Sequence, residues 1–469
     1  MRRQNSGRIK MRFELPEELT TIFLKAPALK QGYLVGGCVR DLLSNRRVID
    51  FDVEVYGVGF DELESQLSKF GRTDLVGKSF GTLKLKTRSG MALDFSLPRR
   101  DSKMGPGHKG FNIKVDPFLT KMDACARRDF TINAILYHPL EDRIYDPFDG
   151  KSDLEQGILK HVGPAFSEDP LRVLRGMQLA GRFNLKAEDK TINLCQSIKH
   201  QISELPKERV WQEWAKWAQL SLYPSAGLNF LNQTKWIDHY PWLKQLIQTP
   251  QDPIWHPEGN VWIHTLLVCD AMARINEFQD SNAKDRLELM FAALTHDFGK
   301  PATTEKVDKN GHERIVSPKH DKVGTRLAGE FLNFIDCPKH HVNKIQPLVA
   351  EHMNGRMAKS NKAIQKLAHR LRPSSISSLC ILMKADNIGR SSLNKIDLEW
   401  LEELHARALD LAIDKAPPPA LLTGKDLIAK GLSPSPLFGQ ILRQAYEAQL
   451  EEKIIDRKSA QNWLVKRLS

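Results

Sequence analysis

Cysteine is scarce in this chain, and none of it is paired. The six residues stand at positions 38, 125, 195, 269, 337 and 380, with no Cys-x-x-Cys among them. This excludes a disulfide framework and a zinc ribbon, and suits reduced thiols of the cytoplasm. Long apolar runs are missing too, so no stretch is a candidate for a membrane span. The opening Met1-Arg2-Arg3-Gln4-Asn5-Ser6-Gly7-Arg8 is basic but lacks the apolar run of a secretory signal. Acidic residues are outnumbered by basic ones, 57 to 69, for a formal charge of +12. That excess favours a polyanionic partner, because each neutralised phosphate releases a counterion. Hydrophobic content of 41% and charged content of 27% are those of a globular protein, not a disordered one. At 469 residues the chain exceeds what one core organises, which predicts several domains.

The most informative stretch runs from Tyr33 to Val55: a short apolar strand, a Gly36-Gly37 turn, a helix from near Val39, and a strand carrying Asp50 and Asp52. Residues two apart on a strand project to the same side, so Asp50 and Asp52 share one face while Phe51 and Val53 enter the core. Neighbouring carboxylates repel unless a cation separates them. Magnesium, a hard ion with oxygen ligands and phosphate partners, is the natural occupant. Backbone N–H groups at the glycine turn and the helix start are placed to hold an anion. A solvated acidic strand edge would account for Gly-Gly and Asp-x-Asp alone, but not for Arg40-Asp41 at a fixed offset from the glycines.

The whole string resembles the head signature of the class II nucleotidyltransferases, the bacterial CCA-adding enzymes and poly(A) polymerases. The resemblance implies that Asp50 and Asp52 bind catalytic Mg2+, and that Gly37 and Arg40 contact the incoming nucleotide. It is strengthened by Ala124-Cys-Ala-Arg-Arg-Asp-Phe-Thr-Ile-Asn-Ala134, which is similar to the family's second motif. There Arg128 is expected on the triphosphate, with Asp129 and Asn133 holding the motif and the sugar. Read from residues alone, this second string is a helix start whose apolar face follows Asp129.

Between the two motifs, Phe60–Phe70 has helical spacing ended by Gly71, and Thr82–Lys86 with Met91–Phe95 reads as a hairpin about Ser89-Gly90. Asp94 on that hairpin is a candidate third carboxylate or an ordinary polar-face residue. The Arg99–Lys109 segment, basic and glycine-rich, reads equally as a closing loop or a solvated one. Asp146–Gly150 is a turn cluster that ends the head.

A largely helical region of about ninety residues is expected from Asp153. It contains Glu168-Asp-Pro-Leu-Arg-Val-Leu-Arg175. With a spacing of three, Asp169 and Arg172 are expected as neighbours on one helical face. A carboxylate accepting from an exocyclic amine beside a donating guanidinium imitates a pairing edge for cytosine and adenine. The string is similar to the family's base-selecting motif, which points to Glu168, Asp169, Arg172 and Arg175. The family continues with arginine three residues on; here that position is Gln178, and the next arginine is Arg182. Gln178 can hydrogen-bond but brings no charge to a phosphate. The tryptophans at 211, 214 and 217 have the spacing of a packed helical stripe and are assigned to the core.

A second constellation comprises His256-Pro-Glu-Gly-Asn-Val-Trp-Ile-His264, His296-Asp297 before Phe-Gly-Lys, His320, Glu351-His352 and Asp386. Histidines and aspartates from several helices can enclose one or two divalent metals that activate water. This set resembles the HD phosphohydrolase domain of many bacterial CCA enzymes. The resemblance implies His264, His296, Asp297 and Asp386 as ligands of a divalent transition metal. His320 and His352 are expected as second-metal ligands or phosphate contacts. His340 and His341 are left out of the set, since a solvated pair explains them equally well.

Taken together, the resemblance implies an α+β fold: a small head with a mixed β-sheet, then a mostly α-helical body including the HD domain. The expected divisions are 1–150 (head), 151–250 (base-selecting neck and body), 251–390 (HD domain) and 391–469 (helical tail, RNA contact or packing). The implied function is CCA addition to tRNA from CTP and ATP by two-metal catalysis, in the cytoplasm and without a membrane partner. Poly(A) polymerase is the nearest alternative. An HD phosphatase or 2′,3′-cyclic phosphodiesterase is either a second activity or, less well supported, the main one.

Overall fold

In the computed structural model, residues 13–75, 81–103, 111–390 and 398–468 are described. The chain divides into two compact units, 1–213 with 226–236, and 214–225 with 237–469.

The first unit is built on a seven-stranded mixed sheet in the order β3-β4-β5-β2-β1-β8-β9. Its strands are β1 (Gly32–Val35), β2 (Phe51–Val55), β3 (Gly71–Leu75), β4 (Thr82–Thr87), β5 (Ala92–Ser96), β8 (Leu136–His138) and β9 (Arg143–Tyr145). Two further strands, β6 (Arg99–Lys103) and β7 (Phe111–Val115), form a separate antiparallel pair. Alternation along β2 sends Phe51, Val53 and Val55 into a core with Leu34, Leu83 and Phe95. Helices α1 (Glu17–Lys25) and α3 (Phe60–Leu67) cover that face with Leu19, Ile22, Phe23, Leu63 and Leu67, the positions their helical spacing predicts. The hairpin about Ser89-Gly90 is present, with Gly90 at φ 95°.

Three local expectations are corrected. Gly71 does not merely end a helix: it opens β3, which pairs with β4 from Gly71↔Thr87. The strand carrying the aspartates begins at Phe51, so Asp50 lies just before it and is exposed. The second motif is not a helix start, because α4 (Lys121–Ala126) has already ended. Phe130 is extended and bridges His161, and only a 3-10 turn follows at Thr131–Asn133. Of the Arg99–Lys109 segment, Arg99–Lys103 is strand, while 104–110 lie outside the described residues. Beyond α5 (Gly150–Glu155) the chain is largely helical as expected, interrupted by the short parallel pair Ile158–Leu159 with Lys186–Ala187. Helix α6 (Leu171–Phe183) has nine buried residues, including Gln178.

The second unit is helical apart from the hairpin Glu305–Lys309/His312–Val316. Trp214 and Trp217 are fully buried against Phe291, and Trp214 also packs on Tyr240 and Phe331. Their indole N–H groups are satisfied by Tyr240 Oη (3.2 Å) and the Pro224 carbonyl (3.2 Å). The core assignment holds for Trp214 and Trp217, whereas Trp211 is only half-buried. His341 is buried on Glu288 (2.8 Å), so the reading of a solvated His340-His341 pair fails for the second histidine. The tail helices Gly424–Ile428, Pro436–Leu450 and Arg457–Leu468 share a small core of Leu427, Ile441, Ala445, Ile454 and Leu464. Among the described residues, no helix is long and apolar enough to cross a membrane.

Candidate functional site

Parallel pairing of β2 with β5 puts Asp52 and Asp94 in register, on the face opposite the core. Both line a cavity of about 470 Å³ whose other walls carry Arg40, Arg128, Arg172 and Arg175. Burial, then the charge of Asp94, pushes the Asp52 carboxyl up to about 6, against the pull of Arg128. Lys84, opposite Asp94 on β4, approaches that carboxylate to 3.6 Å. Asp94, left open between a catalytic and an ordinary role by sequence, thus shares the wall of Asp52. Asp50 is exposed and does not line the cavity, although its charge reaches Asp52. Cys38, inside the same motif, is buried and its thiol is pushed up to about 12, so it is no nucleophile.

Gly36 turns the chain from β1 into α2 (Gly37–Leu43) at φ 69°, a conformation that favours glycine. Gly37 and Arg40 then face the cavity. Arg40 is tied down: its Nε and Nη2 donate to Asp41 Oδ1 (3.1 and 2.8 Å) and its Nη1 to Asn133 Oδ1 (2.6 Å). Asn133 in turn donates to Asp129 Oδ1 (3.0 Å), and Arg175 donates to Asp129 Oδ2 (3.0 Å). Burial alone would raise the Asp129 carboxyl. Arg175, Asn133 and the Phe130 N–H outweigh it and hold that carboxyl below its usual range. Arg128 lies 3.6 Å from Glu54 Oε2 and also lines the cavity.

Asp169 and Arg172 do not sit together on one helical face. Asp169 precedes Pro170, and the proline ring excludes the helical region for the residue before it. Asp169 is accordingly extended (φ −122°, ψ 98°), and α6 starts only at Leu171. Its carboxylate accepts from the Leu171 N–H (3.1 Å) and from Arg209 (3.2 Å). Arg172 instead donates to the carbonyls of Ala165 and Arg127, 2.8 Å each. Glu168 pairs with Arg127 at 3.5 Å. Arg172 and Arg175 line the cavity; Glu168 and Asp169 stand outside its lining.

Gln178 also lines the cavity, buried, with an Oε1 that has no hydrogen-bond partner among the described residues. The arginine missing there reappears at Arg182, one turn along the same face of α6. Arg182 donates to Asp41 Oδ2 (2.8 Å), and Arg40, Arg46 and Arg182 all lie 4.3–4.9 Å from the Phe183 ring centre. The displaced charge therefore braces the Arg40-Asp41 motif. Arg182→Ala is expected to lower unfolding free energy by about 1–3 kcal/mol in urea titrations. Adding Gln178→Arg should not repair that loss unless an arginine at 178 also reaches Asp41.

In the second unit, six side chains of the second constellation converge. Nε2 of His264, Nε2 of His296 and a carboxylate oxygen of Asp386 form one group; Asp297, His320 and His352 form another, each with ligand atoms within 4.8 Å of one another. Asp297 lies between them, with Oδ2 3.2 Å from His296 Nε2 and Oδ1 3.5 Å from His320 Nε2. Gly299 permits this approach, since a Cβ there would stand 2.0 Å from the His320 carbonyl oxygen. All four rings have Nδ1 against an acceptor: Glu258 for His264 (2.8 Å), and the carbonyls of Ala293, Ser317 and Val349 for His296, His320 and His352 (2.8, 2.7 and 2.7 Å). An oxygen that only accepts puts the proton on Nδ1 and leaves Nε2 free to ligate. Burial, then His296 and His320, pushes the His352 ring down to about 4, so it is neutral at pH 7. Nε2 of His264 and His296 and Oδ1 of Asp386 are buried without a directed hydrogen bond. This nitrogen and carboxylate set fits a divalent metal of borderline softness.

Sequence reasoning missed the groups that orient this set. Glu258 Oε1 meets both His256 Nδ1 (2.9 Å) and His264 Nδ1 (2.8 Å), Lys300 pairs with Asp297 (2.7 Å), and Arg390 pairs with Asp386 (2.7 Å). Glu258 and Lys300 were present in the quoted motifs, two residues after His256 and three after Asp297, yet their roles depend on the helix packing. Glu258→Gln is expected to weaken metal binding about 10- to 100-fold in chelator competition, because a ring held by a neutral amide is a poorer ligand.

Residues 32–160 match the poly A polymerase head domain family, and residues 261–390 the HD domain family. The multifunctional CCA protein of Nitrosococcus oceani is 32% identical over 426 residues, covering 89% of this chain and 97% of its own length. The chain belongs to this family. The multifunctional CCA protein of Stenotrophomonas maltophilia is 33% identical, over 81% of this chain and 92% of its own length. The fold is shared with the CCA-adding enzyme of Bacillus stearothermophilus in complex with CTP, at a TM-score of 0.63 and 19% identity, covering 97% of this chain and 98% of that one. It is also shared with the Thermotoga maritima CCA-adding enzyme complexed with tRNA, at a TM-score of 0.56 and 17% identity over 98% and 97%. The head match contains Arg40, Asp52, Asp94 and Arg128 but ends before Arg172 and Arg175, and the HD match contains all six converging histidines and aspartates but begins after Glu258.

Proposed function

We propose that this protein adds CCA to the 3′ ends of tRNA from CTP and ATP. One observation carries the reading: a single cavity has the Asp52/Asp94 carboxylates on one wall and six arginines in its lining, Arg40, Arg128, Arg172 and Arg175 among them. Such a cavity accepts a polyanionic nucleotide and still offers an acidic edge at its reacting end. Asp52, with Asp50 at the strand entrance, is the carboxylate set for Mg2+. Magnesium bound there supplies activation of the RNA 3′-hydroxyl and neutralisation of the departing pyrophosphate.

The chain's own residues do the rest. Arg128 and Arg175 face the triphosphate, with Gly37 allowing its close approach beside Arg40. The chain of hydrogen bonds Arg40–Asn133–Asp129–Arg175 fixes two guanidiniums in one frame, so the nucleotide is positioned without ordering loose side chains. Arg172, held by two carbonyls, presents a preset donor to the base edge. For Asp169 to accept the exocyclic amine of C or A, the amine replaces Arg209 as its partner. Glu168 keeps Arg127 aligned beneath that edge. The basic excess of the chain suits an RNA primer. Labelled CTP incubated with tRNA trimmed of its terminal CCA tests this; no incorporation at any magnesium concentration refutes it.

A second activity is favoured by the assembled histidine-aspartate set: hydrolysis of phosphate esters, including 2′,3′-cyclic phosphates. A divalent transition metal held by His264, His296, Asp297 and Asp386, with His320 and His352 beside them, supplies an activated water. Lys300 and Arg390 border the same cavity and balance its carboxylates.

A further inference from the structure

The histidine-aspartate cavity, about 370 Å³ in volume, has a polar interior and an apolar lip. The lip is formed by Trp255, Ile315 and Met353, and the indole of Trp255 is 60% exposed. A phosphate ester seated on the interior groups needs no such ring for its phosphate. The ring is matched to whatever the phosphate is attached to.

Trp255 is held as a fixture, although it is exposed. The Asp252 carbonyl accepts from the N–H groups of Trp255 (3.1 Å) and His256 (2.8 Å), and the Asp252 carboxylate accepts from the Ile254 N–H (3.0 Å). That carboxylate is gripped by Arg314 through Nε (2.5 Å) and Nη2 (3.0 Å), and receives the Ile315 N–H at 3.3 Å. The turn carrying the tryptophan is thereby pinned to the hairpin that supplies Ile315. The next residue, His256, is bound to Glu258, which orients His264. Lip and interior are linked through one short segment. A ring with two side-chain torsions, on a turn fastened at both ends, loses little entropy on stacking.

We propose that Trp255 is the base platform of this cavity, stacking on the nucleobase of a nucleoside phosphate whose phosphate enters the histidine-aspartate interior. This rests on the hydrolase reading for the phosphate end and adds a specificity-determining residue at the other end. Trp255 acts on binding and leaves the reacting atoms untouched, so it sets KM and not kcat. Stacking of one base on an aromatic ring is typically worth about tenfold in affinity on removal to alanine.

The test compares full-length wild type, Trp255→Ala and Trp255→Phe. Binding of adenosine 2′-monophosphate and of 1-O-methylribose 2-phosphate, which has no base, is measured by titration calorimetry. Hydrolysis of the corresponding 2′,3′-cyclic phosphates is followed with each divalent transition metal. Subtracting variant from wild type removes any binding by the head, which the substitution does not touch. Trp255→Ala is expected to weaken the adenosine ligand about tenfold and raise its KM to match, with kcat and the base-free ligand unchanged. Trp255→Phe should recover most of the loss. Equal losses for both ligands, no loss for either, or no binding of the adenosine ligand by wild type would each overturn the proposal. If no metal supports hydrolysis yet adenosine binding depends on Trp255, the hydrolase reading fails and the platform stands.

Discussion

Asp52→Asn is expected to reduce nucleotide incorporation by about a thousandfold or more while making the metal-free protein more stable at neutral pH. The loss follows from removing the carboxylate that shares the cavity wall with Asp94. The gain follows from its environment. Burial and Asp94 raise the Asp52 carboxyl from the ordinary 3.8 to about 6, so the folded state binds that proton more tightly than the unfolded state does. Below about pH 4 the group is neutral in both states and costs nothing. As pH rises toward 6 the unfolded chain ionises first, and stability is lost; above 6 the penalty remains, and because Asp52 is exposed on its strand, solvent screening holds it to about 1 kcal/mol or less. Asparagine carries no such charge. Metal-free Asp52→Asn should therefore exceed wild type in melting temperature at pH 7.5, and the difference should vanish near pH 4. An inactive variant that is also less stable at pH 7.5 would assign Asp52 to structure instead of chemistry.

Asp297→Asn is expected to abolish metal loading of the second unit, with hydrolysis falling at least about a hundredfold, and to lower its stability by about 3–5 kcal/mol. Asp297 is buried among His296, His320 and Lys300, and the last of these is itself buried, 2.7 Å away. Removing the carboxylate charge strands that ammonium. The two effects separate in a double variant: Asp297→Asn/Lys300→Met should regain most of the stability and none of the metal. Nucleotide incorporation should be unaffected in both variants. Metal content by elemental analysis and urea unfolding measure the two arms; a single variant that still binds metal stoichiometrically would remove Asp297 from the ligand set.

The sheet of the head was legible because its strands alternate cleanly, as in Phe51-Asp52-Val53, and because Ser89-Gly90 marks a turn. Strand β3 was not, since Gly71-Arg72-Thr73-Asp74-Leu75 has no clear apolar face and is recruited by pairing with β4. The hairpin at Asn310-Gly311 went unread although its turn carries the Asn-Gly signal; both residues have positive φ (59° and 79°), and it frames the strand that anchors Asp252. Residue spacing placed Asp169 beside Arg172, but Pro170 moved the helix start past it. Spacing could not decide on Asp94, because its place beside Asp52 comes from parallel register between strands distant in the chain. The displacement of the arginine from 178 to 182 was legible, whereas the partner it finds there, Asp41, comes only from packing. The candidate metal set shows the same division: its histidines and aspartates are motif residues, while the contacts of Glu258, Lys300 and Arg390 come from packing.

The central claim, CCA addition at the Asp52 cavity, is tested most directly by what the protein writes on tRNA trimmed of its last three nucleotides. With CTP and ATP both present, the account predicts products heavier by two cytidylates and then one adenylate, and no further growth. Mass spectrometry of the 3′ fragments resolves each addition. A ladder of adenylates, formed without any use of CTP, would contradict it.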